Sequence, residues 1–286
     1  MRPSPKALAV ARSRSVSRGT VRAVVLAMAL VACRADPAGQ TSDASAPCTA
    51  MFGRPGPQTG LSEAECAPRC TCAATPFEQP DYTEADLAAL ESLTLLDAPG
   101  ELKADPYASP PAATGSADAV CAVLREPAPA KSYRLRTYDS PAAAKAAGAQ
   151  ITHVGACGLC SPLRDLAVYI RRPDLTAPVR DCGVKHGNDK AAQLACLEAL
   201  GFDRPCAQVW SYNTDHTRAR CLGPCVAALT KPYNEPDGAI NACLQCDEEV
   251  SGPVFKAVAG RSRRNTGVAS TMCRPCSEVT PLVHRY

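Results

Sequence analysis

Sixteen cysteines constrain this chain more than any other feature: Cys48, Cys66, Cys70, Cys72, Cys121, Cys157, Cys160, Cys182, Cys196, Cys206, Cys221, Cys225, Cys243, Cys246, Cys273 and Cys276. An even number is what a disulfide framework requires, and full pairing allows ~2 million connectivities. Spacing alone leaves the pairing open. Each bridge stabilises a fold by ~2–4 kcal/mol, a large share of a typical net stability of ~5–15 kcal/mol. The remaining composition makes cross-links useful. Aromatic residues are 5% of the chain and prolines number 26, so the core must be built from small aliphatics that bury little area per residue.

The seventeenth cysteine sits behind a leader. Six basic residues (Arg2, Lys6, Arg12, Arg14, Arg18 and Arg22) and no acid precede the small and apolar run Ala23–Ala32, which ends at Cys33. That is the form of a secretory signal, and the run is well short of the ~20 residues a membrane-spanning helix needs. Leu30-Val31-Ala32-Cys33 resembles the lipobox of bacterial lipoproteins. In that family the leader is cut before the cysteine, which is then acylated. The resemblance implies a signal peptide over 1–32, lipid on Cys33 and the membrane as a partner through that lipid. Arg34 stands where aspartate favours inner-membrane retention in many such proteins, so the resemblance leans toward the outer membrane. Without the leader the chain holds 25 basic and 28 acidic residues, and a mildly acidic body gives no case for nucleic-acid binding.

Residues 33–60 read as anchor and flexible tether, rich in Ala, Pro, Gly, Ser and Thr. Residues 61–116 form a cysteine-rich segment closed by a Pro/Ala loop over 101–117, the best internal boundary. The remainder, 117–286, reads as one disulfide-rich domain. A capping signal at Thr83 opens a helix through Leu87, Leu90, Leu93 and Leu96. Strands are expected at 133–138 and 151–154, and helices after Ser140-Pro141, after Ser161-Pro162 and after Asn188-Asp189. Further helical patches cover 207–213, 222–230, 238–249 and 253–261. The fold class expected is mainly α, or a small α+β, in a single compact domain on an N-terminal tether.

Four stretches invite a chemical reading. His153-Val-Gly-Ala-Cys157-Gly-Leu-Cys160 leads from a strand into a helix start, where helix N-termini stabilise thiolate. It resembles the thioredoxin-like loop, with Cys157 attacking and Cys160 resolving, although a preceding aromatic and a βαβ context are missing. Structural bridging is the plainer alternative for two cysteines among sixteen. The pairs Cys221/Cys225, Cys243/Cys246 and Cys273/Cys276 suit zinc in a reducing compartment and disulfides in an oxidising one. Asp247-Glu248-Glu249 before Ser251-Gly252 echoes lysozyme-like glycan hydrolases, making Glu248 or Glu249 a candidate general acid; a solvated helix end is the plainer reading. Arg261, Arg263 and Arg264 form a basic patch suited to phosphate or an acidic glycan, or a solvated turn paired with nearby acids.

Trp210, with Tyr212 and His216, suits the floor of a sugar or peptide site, or else packs against disulfides. The histidines at 153, 186, 216 and 284 show no metal spacing, no P-loop, GxGxxG or GxSxG occurs, and no cofactor or metal is expected. The stretches HVGACGLCS and CDEEVSGPVFKAVAGRSRRN together resemble a group of cysteine-rich exported proteins, which implies a shared fold and no mechanism. The function expected is binding or structure at the cell envelope, toward a protein or glycan ligand. A thiol–disulfide oxidoreductase and a cell-wall glycan hydrolase are the enzymatic alternatives.

Overall fold

A computed structural model describes residues 48–72, 75–112 and 116–286. The signal segment, Cys33 and the tether up to residue 47 lie outside the described residues. A short helix, α1 (Glu84–Glu91), opens the body on the expected capping box: Thr83 Oγ1 accepts from the Asp86 N–H (3.2 Å), and the Asp86 carboxylate accepts from the Thr83 N–H (2.8 Å). Leu87 and Leu90 are buried, but the helix ends at Glu91. Leu93 and Leu96 are therefore not on it, because β1 (Thr94–Leu95) joins the main sheet.

That sheet has the order β1-β3-β2-β4, with β2 (Val120–Arg125), β3 (Ser132–Tyr138) and β4 (Gln150–Val154). β1 runs parallel to β3, and the other pairings are antiparallel. The two outer expectations, at 133–138 and 151–154, hold. The strand between them in space, β2, was not expected. It is covered on both faces: Val120 and Ala122 pack with Ala144 of α2 (Pro141–Ala146), while Val123 faces the main core. A strand buried on both faces loses the polar alternation that marks a strand in sequence. The fold is therefore mixed α+β rather than mainly α.

The main core is centred on α3 (Leu163–Arg171), where Leu163, Leu166, Ala167, Val168 and Tyr169 are all buried. Pro162 rather than Ser161 takes the N-cap place, and no side chain caps it. Around α3 lie α4 (Thr176–His186), α5 (Lys190–Ala199, capped by Asp189) and α6 (Arg204–Ala227). α4 has no counterpart among the expected helices. The two patches expected at 207–213 and 222–230 fall on α6, kinked at Cys221 (φ −120°, ψ 16°). Pro224 explains the kink, since its ring clashes with the carbonyl four residues back and its nitrogen donates no hydrogen bond. α7 (Ala242–Cys246) follows, then a π-helical turn over Asp247–Ser251, and α8 (Gly252–Ala259).

All sixteen cysteines after residue 47 are cross-linked: Cys48–Cys72, Cys66–Cys273, Cys70–Cys276, Cys121–Cys157, Cys160–Cys206, Cys182–Cys196, Cys221–Cys246 and Cys225–Cys243. The first three correct the tether expectation. From Cys48 onward the chain is built into the body, with Met51–Phe52 paired to Cys66–Ala67 and to Arg274–Pro275. The Pro/Ala loop is likewise tied down: Leu102 N–H donates to Gln208 Oε1 (2.7 Å), and the Tyr107 hydroxyl to Asn213 Oδ1 (2.6 Å). All the described residues fall in one compact unit.

Cys66–Cys273 and Cys70–Cys276 each close more than 200 residues, but they lie side by side. With one in place, the other closes only a ring of a few residues. The loop-entropy argument then predicts strong non-additivity. Cys66→Ala with Cys273→Ala should cost ~2 kcal/mol, and removing both bridges a further ~5 kcal/mol. Urea unfolding of the two variants checks this; equal steps would contradict it.

Candidate functional site

The most pointed sequence motif is an architectural joint. Cys157 is bonded to Cys121 and Cys160 to Cys206, so the 157/160 disulfide that a thiol–disulfide centre requires does not form. The intervening backbone is committed elsewhere. Leu159 N–H donates to Val258 O and Cys160 N–H to Ala259 O, both at 2.9 Å, which lays this loop on the end of α8. A Cβ on Gly158 would stand 2.4 Å from Val258 O, so only glycine fits. Ser161 Oγ accepts from the Gly158 N–H (2.8 Å) and meets His153 Nε2 at 2.7 Å. Burial pushes the His153 imidazole down to about 3, which keeps it neutral.

The expected basic patch dissolves in the same region. Arg261 is fully buried, and its guanidinium donates to Cys160 O (3.0 Å), Thr152 O (3.2 Å), Thr152 Oγ1 (2.8 Å) and Ser161 O (2.7 Å). Arg263 donates to Tyr169 O (2.7 Å), Ala269 O (3.1 Å) and Arg172 O, two of them at the carbonyl end of α3, where the helix dipole favours a cation. Only Arg264 pairs with acids, Glu248 and Glu278. The stretches HVGACGLCS and CDEEVSGPVFKAVAGRSRRN thus grip each other, one supplying carbonyls and the other the arginine.

The three acids after Cys246 separate by environment. Glu249 is exposed and accepts from Gln245. Glu248 is an ion-pair hub, meeting Arg274 (2.6 Å), Lys256 (3.6 Å) and Arg264. Asp247, not singled out from sequence as the functional one, is partly buried, as Glu248 is. The π-helical turn carries it onto α6, where its Oδ1 accepts from Thr217 and from Asn213 Nδ2 (3.1 Å). Burial raises its pKa, and the Thr217 and Asn213 hydrogen bonds oppose that rise.

Trp210, Tyr212 and His216 do not converge. Trp210 packs on Phe255 (4.7 Å between centroids) and Phe202 (5.8 Å), Tyr212 lies under Lys190 (4.2 Å), and His216 stacks on Tyr107 (4.3 Å). Trp210 lines a cavity that Tyr212 and His216 do not. That cavity, of about 420 Å³, lies between α4, the second half of α6, α7 and α8. Val179, Val184, Leu222, Val226, Leu229 and Leu244 give it aliphatic walls, and Asn213, Thr217 and Asp247 a polar patch.

Four of those aliphatics face solvent: Val184 is 76% exposed, Leu222 58%, Val226 58% and Leu229 56%. Scattered exposed leucines are ordinary, whereas several gathered along one cleft mark a binding surface. Disulfides stiffen the walls. Cys182–Cys196 ties α4 to α5, and Cys221–Cys246 with Cys225–Cys243 joins α6 to α7. Two more buried polar atoms, Tyr169 Oη and Trp210 Nε1, lie in residues that line the cavity and lack a hydrogen-bond partner among the described residues. An apolar cleft with a few convergent polar groups and a shifted carboxyl is the form of a small-molecule site. Sequence reading missed the cleft because Leu222, Val226 and Leu229 have the spacing of an ordinary buried helix face.

Residues 190–282 match the model of a family described as a family of unknown function (DUF8771). No curated protein and no solved structure matches the chain. The matched stretch holds the α6 wall, the polar patch and Glu248; the α4 wall lies outside it. Eight disulfides belong to an oxidising compartment and mark the chain as exported. Among the described residues, no helix is long and apolar enough to cross a membrane.

The raised Asp247 carboxyl makes a stability prediction. A folded state that holds this proton more tightly than the unfolded chain is disfavoured once the pH lies above the folded pKa, and is not disfavoured below the ordinary aspartate value of 3.8. Asp247→Asn keeps the acceptor for Thr217 and Asn213 and is always neutral. It should therefore be more stable than the parent at pH 7, with the advantage shrinking as the pH falls toward 3.8. Paired urea titrations across that range check it; an advantage that grows on acidification would contradict it.

Proposed function

We propose that this protein is a lipid-anchored binding module of the cell envelope, with the cleft between α4, α6, α7 and α8 as its ligand site. The observation that carries the reading is the set of four solvent-facing aliphatics on cleft walls cross-linked by three disulfides. A flexible pair of helices with this apolar content would close on itself to bury it. Cross-linking stiffens the walls that present this surface to a ligand. The anchor part of the proposal rests on the lipobox-like Leu30-Val31-Ala32-Cys33, and the outer-membrane leaning on Arg34. A protein or a glycan chain is a weaker occupant than an apolar ligand, since the four most exposed wall residues are all aliphatic.

Two outcomes test this. Once the leader is removed, the Cys33→Ser form should move from the membrane fraction to the soluble fraction on cell fractionation; unchanged membrane retention of that leaderless form removes the anchor. For the cleft, a neutral apolar dye such as N-phenylnaphthylamine should bind the Cys33→Ser full chain and brighten. Leu222→Glu with Val226→Glu should weaken that binding by at least about tenfold. Both positions are exposed, so such changes alter folding stability by only ~0.5 kcal/mol. Unchanged dye binding in the variant would place the apolar site elsewhere.

A further inference from the structure

The charges around the cleft are unbalanced. Seven cationic side chains line it (Arg180, Arg218, Lys231, Lys256, Arg263, Arg264 and Arg274) against two carboxylates, Asp247 and Glu248. Most of the seven are already engaged. Lys256, Arg264 and Arg274 share Glu248, Arg218 pairs with Asp215 (3.2 Å), and Arg263 is capped by carbonyls. Arg180 and Lys231 are different: neither has a carboxylate within ion-pair distance among the described residues. Arg180 comes from α4 and Lys231 from just beyond α6, and both line the cavity together with the aliphatic walls. Burial also favours the uncharged form of Asp247, which removes part of the negative charge inside the cleft.

We infer that the cleft takes a single-chain anionic amphiphile, a long-chain carboxylate, with its chain along Val184, Leu222, Val226 and Leu229 and its carboxylate answered by Arg180 and Lys231. The inference rests on the cleft being the ligand site and adds the ligand's chemistry. A cavity of about 420 Å³ stands toward the lower end of the ~300–1,000 Å³ typical of small-molecule sites, so one chain suits it better than a two-chain lipid. Two cations without an acidic partner suit an anionic head, and the aliphatic walls reward each methylene buried against them.

The test is displacement of the neutral dye from the Cys33→Ser full chain by dodecanoate, dodecanol and dodecylammonium, each kept below its micelle concentration. Dodecanoate should displace the dye at roughly tenfold lower concentration than either of the others, the preference a charge-assisted contact supplies. Arg180→Gln with Lys231→Gln should erase that preference and leave dodecanol unchanged. Dye bound normally but displaced best by dodecanol or dodecylammonium overturns the anionic ligand while leaving the cleft as the site. A chain that binds no dye at all overturns both. Attachment to phosphatidylglycerol vesicles without displacement by monomeric dodecanoate would mean that the cationic rim meets a membrane surface, and would also overturn the proposal.

Discussion

The fold depends on a single buried cation. Arg261 carries a guanidinium to a position without solvent contact and spends four hydrogen bonds on the carbonyls of Cys160, Ser161 and Thr152 and the Thr152 hydroxyl. Desolvation lowers its pKa, and the surroundings answer with oriented carbonyl dipoles rather than with a salt-bridged carboxylate. Burying such an ion costs several kcal/mol unless its donors are met, so competing arrangements that leave it unmatched are penalised. The consequence is register. Sheet strand β4, the loop before α3 and the end of α8 meet at one guanidinium, and Gly158 and Gly260 have no Cβ to hold the two backbones apart. Cys160–Cys206 and Cys121–Cys157 then lock that meeting point to α6 and to β2.

This joint explains why the strongest chemical motif in the sequence is not chemical. Cys157-Gly-Leu-Cys160 has thioredoxin-like spacing because the loop must reverse against α8, not because its thiols must meet. The glycine serves the close approach, and each sulfur is directed to a different element. The same logic splits Arg261, Arg263 and Arg264. Adjacent in sequence, they face a core joint, the carbonyl end of α3 and an acidic pair, because the chain turns sharply after Gly260, at φ +72°.

What the sequence made legible was local. Caps at Thr83, Ser140 and Asp189, and the glycines that follow two helices, Gly148 and Gly201, act over three or four residues and read directly. β2 was invisible because a fully covered strand has no polar face. The tether was drawn too long because Met51 and Phe52 find their partners more than 200 residues away, at Pro275 and Arg274. Nothing in an acidic triplet says that a π-helical turn will carry Asp247, rather than Glu248 or Glu249, onto Asn213 and Thr217 of α6. The disulfide pairing is non-local in the same sense, since only the fold decides which of sixteen sulfurs become neighbours.

The cleft shows how cross-links substitute for a large core. In a chain poor in aromatics, closing α4 onto α6 and α7 would bury Val184, Leu222, Val226 and Leu229, and the hydrophobic effect favours that by ~25 cal/mol per Å². Cys221 and Cys225 stand one turn apart on α6, Cys243 and Cys246 one turn apart on α7, and bonding them crosswise fixes both distance and rotation between those helices. The kink imposed by Pro224 falls at Cys221, one of these anchor points, so the bend itself is cross-linked. Cys182–Cys196 performs the corresponding task for α4 by tying it to α5. The bridges fix α6 to α7 and α4 to α5, and none spans the cleft. The exposed aliphatics of α6 therefore sit on a wall whose shape is set covalently, while the α4 wall meets it through non-covalent packing, as where Arg218 donates to the Gly183 carbonyl.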